Sequence, residues 1–511
     1  MKADLKELYS DFDNQNKINL DNLKIIMRDN MNTDYGKKYD FASIYKSNDD
    51  NIIEEFQHKV PLSDYEDYRS AGSCCVYDKY FTVRTSGTTG QSKKFLLTKE
   101  ALTRYSSYIF LEPFYLSGVK KEKLLHTSLF RKTGNETILS DAHYRFMKEN
   151  GLIDCNNFLG GEECMFSDEK ANVPYLKLWI ALSNEDLSAF LSTFLYDLLL
   201  LMSYLEKNWR QILEDMEQEH FSEIVPDSMK ETLLTMKASS ERIAFLRDEF
   251  SKGFDRPIME RIWKELKIVS GVGGHLFTAY DNALKRYTGS IPIDYYAYAQ
   301  SECMSAIATD LECSEYTLMP RSAFFEFLDI DNNTVYSSKH VVSGKRYQLI
   351  ITTFSGLYRY KTGDIVEIKG FTGQSPRFQI CDRMKHLLNI DGEKIDEATI
   401  GLVVERLINK LKMNLRTYYV GIDCQSIPSR YVLVLDIQKT ETYLEPSFIA
   451  KEFDNILQDI SWDYMDLRSL RLIGEPMCKF LTSSVIASMQ TGHTKPGIII
   501  SNDKVKRILE L

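Results

Sequence analysis

A change of texture near residue 383 constrains the fold of this 511-residue chain more than any other feature. Ahead of it, "PIDYYAYAQ", "AFFEFLDI", "RYQLIITTF" and "DIVEIKGF" are rich in β-branched and aromatic residues and read as strands. Behind it, "KIDEATIGLVVERLINKL" reads as a helix with an acidic start, and "TYYVGIDC" and "YVLVLDIQ" as strands. "SFIAKEFDNILQDISWDYMDL" then reads as one long helix and "SLRLIGEP" as a last strand. Helix–strand–strand–helix–strand forms a compact α+β unit in its own right. The expected fold class is α/β: a large N-terminal domain of mixed sheets and helices, 1–383, and a small α+β C-terminal cap, 384–511. A hinge is expected near 382–386.

The first 70 or so residues read as helical, closing at "VPLSDYEDY", where Pro61 and Ser63 predict a turn and a capped helix. Residues 80–84 read as a strand, "TKEALTRYSSYIFL" as a helix capped by Thr98, and "LLHTSLF" as a further strand. From 176 to 219 the periodicity is helical, with Leu198, Leu201, Tyr204 and Leu205 on one face.

Composition excludes several function classes. There are 63 basic and 73 acidic residues, a net charge of -10, which argues against a nucleic-acid partner. Nine cysteines, an odd number with no CxxC pair, indicate neither a zinc site nor a disulfide framework. The start "MKADLKELYSDFDNQNK" lacks the apolar core of a signal peptide. The most apolar run is broken by Asp197 and is too short to span a bilayer. The expectation is a cytoplasmic protein with no membrane partner.

Four segments carry chemistry. In "FTVRTSGTTGQSKKFLLTKEAL", Gly87 and Gly90 permit a tight turn, and Thr85, Ser86, Thr88 and Thr89 supply hydroxyls. Successive N–H groups there can form an anion-binding nest, with Lys93 or Lys94 adding positive charge. The spacing departs from a Walker loop, because Ser92 replaces the glycine before the lysine. Alone, such a stretch is more often a surface turn. In "YAYAQSECMSAIATDL" an aromatic run ends in Ser301 and Glu302, whose carboxylate suits a magnesium ion bridging phosphates. In "GLYRYKTGDIVEIKGF", Gly363 supports a tight turn and Asp364 opens a strand, placed to accept from ribose hydroxyls. "FQICDRMKHLLNIDGEKIDE", with Arg383, Lys385 and Lys394, lies at the domain boundary.

In this order the four segments resemble the adenylate-forming ligases, and within them the plant auxin-responsive acyl acid amido synthetases and their bacterial relatives. "VPLSDYEDY", "LEKNWRQILEDMEQEHFSE", "YTLMPRSAFFEFL", "LIITTFSGLYRYKTGDIVEIKGF" and "SPRFQICDRMKHLLNIDGEKIDEA" are similar to that family in sequence and spacing. The resemblance implies a large adenylate-forming domain with a mobile cap, and a two-step ligase using ATP and Mg2+. A small carboxylic acid is adenylated, then an amino acid or other amine takes the acyl group. It implies that Thr85, Ser86, Gly87, Thr88, Thr89, Gly90 and Lys93 hold phosphates. Tyr298, with Ala299 and Ser301, would lie beside adenine. Asp364 would hold the ribose, Glu302 the metal, and Arg383 the hinge. Lys394 is the first candidate for the α-phosphate. Lys495 in "MQTGHTKPGIII" is the second, although the family's arginine after proline is absent there. Members of this family are often monomers. Two alternatives stay open: acyl transfer to a thiol such as coenzyme A, and a silent nucleotide-binding member. Arg131 in "LFRKTG" is either a partner for a substrate carboxylate or a surface residue. Neither His275 nor His386 has a spacing partner that suggests a general base.

Overall fold

The computed structural model describes residues 5–49, 51–69, 74–85, 93–106, 118–119, 123–274, 278–383, 387–413, 415–437, 444–481 and 499–510. The chain forms two compact units, Met1–Arg84 with Phe95–Met384, and Thr85–Lys94 with Lys385–Leu511. Among the described residues no helix is long and apolar enough to cross a membrane.

The larger unit contains a four-stranded parallel sheet in the order Leu124–His126, Ala189–Phe194, Ile268–Val272, Ile293–Asp294. Helices connect its strands, as parallel pairing requires. Val173–Ser183 is buried along its whole middle, and its start is capped by the Asn172 side chain with Pro174 in the first turn. The run from 176 to 219 is therefore not helical throughout. Ala189–Phe194 is a strand within it, followed by the helix Leu195–Gln218. A short apolar run buried on both faces has no periodicity to separate strand from helix. Leu198, Leu201 and Leu205 do face the core, while Tyr204 is half-buried.

The second sheet has eight strands, all antiparallel to their neighbours. Their order is Val335–Ser337, Ala323–Asp329, Arg346–Thr353, Tyr360–Thr372, Ser375–Arg383, Tyr316–Leu318, Met304–Ala308, Ala297–Ala299. The N-terminal helix Gln15–Asn30 packs on it through buried amides. The Asn19 side chain accepts from Phe325 N–H at 2.8 Å and donates to Phe325 O at 3.1 Å. Asn22 donates to Ala323 O and Pro320 O, both at 2.8 Å. Val335–Ser337 pairs only with Glu326–Leu328, so Asn19 satisfies backbone groups beyond the end of that short strand.

The smaller unit carries the helix Glu397–Leu411, the strands Leu415–Asp423 and Arg430–Ile437, and the helix Pro446–Ile460. Two sequence expectations fail here. The long helix is broken at Ser461, whose hydroxyl accepts from Tyr464 N–H at 3.3 Å and starts a second helix, Trp462–Ser469. "SLRLIGEP" is a turn, held by Gly474 N–H to Ser429 O at 2.8 Å and by Arg468 to Ile473 O at 2.8 Å. The strand comes after Pro476, at Met477–Phe480, parallel to Arg430–Ile437.

Candidate active site

A bulge in Tyr360–Thr372 places the key carboxylate. Pairing with Arg346–Thr353 jumps from Gln348 opposite Ile365 to Ile350 opposite Lys361, so Thr362, Gly363 and Asp364 all stand against Leu349. Gly363 has φ 83°, a left-handed conformation that only glycine adopts without strain. The Thr362 hydroxyl donates to Leu349 O at 2.9 Å and accepts from Asp364 N–H at 3.3 Å, closing the bulge. Bulges of this kind re-aim a side chain. The expected turn at a strand start is thus an irregularity inside a strand. On the other side Asp364 pairs directly with Arg383, so two of the four segments meet across one pair of strands.

Asp364 is 3% exposed, and two donors converge on its Oδ2. The Tyr298 hydroxyl donates at 2.6 Å and Gln300 Nε2 at 2.7 Å. Gln300 Nε2 also donates to the Tyr298 hydroxyl, and Ser305 Oγ donates to Gln300 Oε1 at 3.5 Å. Three strands separate Ala297–Ala299 from Tyr360–Thr372 in the sheet order, so the sheet curls enough for Tyr298 and Asp364 to touch. Tyr298, expected beside adenine, commits its hydroxyl to Asp364 and sets its buried ring edge-on to Phe378 at 5.9 Å.

Glu302 sits at the tip of a tight turn. Gln300 N–H donates to Cys303 O at 2.9 Å and Cys303 N–H returns to Gln300 O at 3.2 Å, leaving Ser301 and Glu302 as a two-residue loop. Ala299, Ser301 and Glu302 are half-buried. The Tyr360 hydroxyl donates to Glu302 Oε1 at 3.2 Å. Burial, then the nearby Glu302 charge, push the Tyr360 phenol well above its ordinary value, so it stays a donor. Phe95, on the strand Lys93–Thr98, lies edge-on to Tyr360 at 5.9 Å. Thr98 caps the helix Lys99–Ser106, accepting from Ala101 N–H at 3.2 Å, and donates to Phe354 O at 3.0 Å. Ser86, Gly87, Thr88, Thr89 and Gly90 lie outside the described residues, between the strands that end at Thr85 and begin at Lys93.

Arg359 anchors this corner. Its φ of 47° is unusual for a residue with a side chain, and it forms a buried ion pair with Glu326 at 3.1 Å. Its Nη1 donates to Val60 O at 2.7 Å and Gln57 O at 2.8 Å, and Gln57 Nε2 donates to Glu326 at 2.9 Å. "VPLSDYEDY" docks here. Ser63 bridges Tyr360 in parallel, with Ser63 N–H to Arg359 O at 3.0 Å and Lys361 N–H to Ser63 O at 2.9 Å. The Ser63 hydroxyl bonds Tyr358 O at 2.6 Å and pairs with the Tyr68 hydroxyl at 2.9 Å, so it is not a helix cap. Asp64 caps instead, accepting from Glu66 N–H at 3.1 Å.

In the smaller unit, Lys394 follows a turn held by a fully buried carboxylate. Glu393 accepts from Ile390 N–H at 2.7 Å, Asp391 N–H at 2.9 Å and the Tyr431 hydroxyl at 2.7 Å. Burial outweighs these donors and raises its carboxyl to about 7. Tyr431 stacks on Tyr464 at 5.4 Å, and Tyr464 donates to Asp454, the ion-pair partner of Arg468. Lys495, Lys385, His386 and His275 lie outside the described residues. Arg131 is exposed, with its backbone N–H on Asp141 at 3.3 Å. Sequence reasoning missed Gln300, Tyr360, Arg359, Ser63, Tyr68 and Glu393. All six lie inside the segments quoted from the sequence, but their partners are set by the fold and no residue type there announces them.

Residues 4–71 and 76–293 match the GH3 family N-terminal domain, 316–383 the GH3 family central domain and 399–510 the GH3 family C-terminal domain. The chain belongs to the GH3 family. This agrees with the resemblance carried by the four motifs. The indole-3-acetic acid-amido synthetase GH3.2 of Arabidopsis thaliana is 26% identical over 461 residues, 81% of this GH3 chain and 82% of its own length. The probable indole-3-acetic acid-amido synthetase GH3.9 of Oryza sativa subsp. japonica is 31% identical over 266 residues, 49% of this chain and 60% of its own. The AtGH3.15 acyl acid amido synthetase, solved in complex with 2,4-DB, shares the fold. Its TM-score is 0.67 at 21% identity, covering 99% of this chain and 95% of that one.

Proposed function

We propose that this chain is an ATP-dependent acyl acid amido synthetase. It adenylates a small carboxylic acid and passes the acyl group to an amino acid or other amine, releasing AMP and pyrophosphate. The observation that carries the reading is the single corner in which Asp364, tied to Tyr298 and Gln300, and Glu302, tied to Tyr360, lie on one curled sheet. Membership of a family whose relatives are named amido synthetases supports it.

In this reading Asp364 accepts from the ribose hydroxyls, and Tyr298 sits beneath the nucleoside. Ser86, Thr88, Thr89 and the neighbouring N–H groups donate to the β- and γ-phosphates. Among the described residues no group of three or more His, Cys, Asp or Glu side chains could hold a metal ion. The half-buried Glu302 fits Mg2+ all the same, because that ion is usually held by one or two carboxylates plus substrate phosphates. When bound, it would offset the repulsion between the attacking carboxylate and the α-phosphate. Tyr360 fixes Glu302 by donating to one of its oxygens. Lys394, or Lys495, meets the α-phosphate. Rotation about 382–386 between the half-reactions, a monomeric state and a cytoplasmic site of action belong to the same reading.

The test is ATP–pyrophosphate exchange with a broad panel of carboxylic acids, followed by mass spectrometry with amino acids or coenzyme A. Acid-dependent exchange and an amide product are expected. A thioester product, or ATP binding without exchange for any acid, overturns the reading.

A further inference from the structure

We propose that Gln300 is the positioning residue for sugar recognition: its amide, with the Tyr298 hydroxyl, sets the orientation of Asp364, through which the chain separates ribo- from deoxyribonucleotides. The inference rests on reading Asp364 as the ribose carboxylate.

A carboxylate as buried as Asp364 needs donors, and a site with one rigid answer needs them fixed. Gln300 Nε2, the Tyr298 hydroxyl and Asp364 Oδ2 form a closed triangle in which every atom restrains the other two. Residues two apart on an extended segment share a face, which is why Tyr298 and Gln300 reach the same oxygen. Ser305 Oγ on Gln300 Oε1 turns the amide so that its N–H groups point at the carboxylate. Reciprocal bonds with Cys303 hold the Gln300 backbone, so the side chain hangs from a rigid turn. That same turn carries Glu302. A ribose diol therefore meets a carboxylate whose plane is already set, and its binding does not lose free energy to freezing a rotor. A serine or alanine at 300 would be too short to reach, and a glutamate would set a second negative charge against Asp364.

The experiment measures dissociation constants of ATP and 2′-deoxy-ATP by calorimetry on the full chain, for wild type, Gln300→Met, Gln300→Glu and Asp364→Asn. Gln300→Met keeps the length and removes the donor. It is expected to weaken ATP by about tenfold, the factor that corresponds to one modest hydrogen bond, with 2′-deoxy-ATP within about twofold of wild type. Gln300→Glu should weaken ATP further. A preference for ATP retained within about twofold in Gln300→Met overturns the inference, and so does an equal loss for both nucleotides, which is what a packing role gives. If Gln300→Met fails to fold, Tyr298→Phe removes the other donor of the triangle and carries the same expectation. Asp364→Asn separates the two levels. If it abolishes the preference while Gln300→Met does not, the sugar reading stands and the role of Gln300 falls. If Asp364→Asn leaves the preference intact, both fall.

Discussion

Replacing Arg359 with methionine should destabilise the larger unit by about 4 kcal/mol. The side chains of Arg359 and Glu326 are 5% and 1% exposed, and Glu326 takes two bonds from Arg359 Nε, at 3.1 and 3.2 Å. Removing one partner of such a pair leaves a buried charge, a loss of roughly 3–5 kcal/mol. Gln57 O and Val60 O lose their donor as well. The double variant is the sharper test. With Glu326→Leu added, no buried charge remains, and only the two carbonyls and the Gln57 amide are left short. The double variant should therefore recover to a loss of about 2 kcal/mol. Urea unfolding followed by tryptophan fluorescence reads this, because three of the four tryptophans, Trp179, Trp209 and Trp263, lie in the larger unit and Trp462 in the smaller. A single variant losing less than about 1 kcal/mol, or a double variant no better than the single, refutes the argument.

Glu302→Gln should cut Mg2+-dependent adenylation by at least about a hundredfold, a barrier rise of about 2.7 kcal/mol, with the melting temperature unchanged; pyrophosphate exchange at wild-type rate would remove Glu302 from the metal site. Gly363→Ala meets no atom within 4 Å, so its effect should be backbone strain alone, about 1–2 kcal/mol, together with a raised KM for ATP as Asp364 shifts. A loss of stability well above that range would refute backbone strain as the cause. Glu393 has its carboxyl raised by burial from the usual 4.5 to about 7, so the folded state holds a proton that the unfolded chain releases earlier. Its contribution to stability is present below about pH 4.5 and is lost as pH rises through about 7. Urea midpoints of wild type should fall over that window relative to Glu393→Gln, and parallel pH profiles for the two proteins would contradict the assignment.

The strands of the eight-stranded sheet are legible because β-branched and aromatic residues recur in Ala323–Asp329 and Arg346–Thr353, bounded by turn residues. Two of the elements read wrongly failed for local reasons. Ala189–Phe194 is buried among parallel neighbours and shows no alternation. The break at Ser461 is one hydroxyl capping the next helix, with no proline or glycine to announce it. Asp364, Glu302 and Tyr298 stand out as residue types at motif spacing. Their partners do not, because a register jump opposite Leu349 and a donor from Gln300 depend on where other strands lie. Arg359 is harder still. Its role rests on Glu326, Gln57 and Val60, the last two about 300 residues away in the chain.

The buried amides of Asn19 and Asn22 have a consequence for synthesis. Their carbonyl partners are made about 300 residues later, as are Arg321 for Asp11 and Arg359 for Gln57. At roughly 5–20 residues per second, a ribosome leaves the first helices without their sheet for on the order of 15–60 seconds. Throughout that interval the helix that carries Leu23, Ile26 and Met27, all fully buried in the finished protein, has its neighbouring helices but not its sheet. The earliest part of the larger unit to leave the ribosome is thus among the last to be secured, and its exposure to chaperones is timed by a strand hundreds of codons downstream.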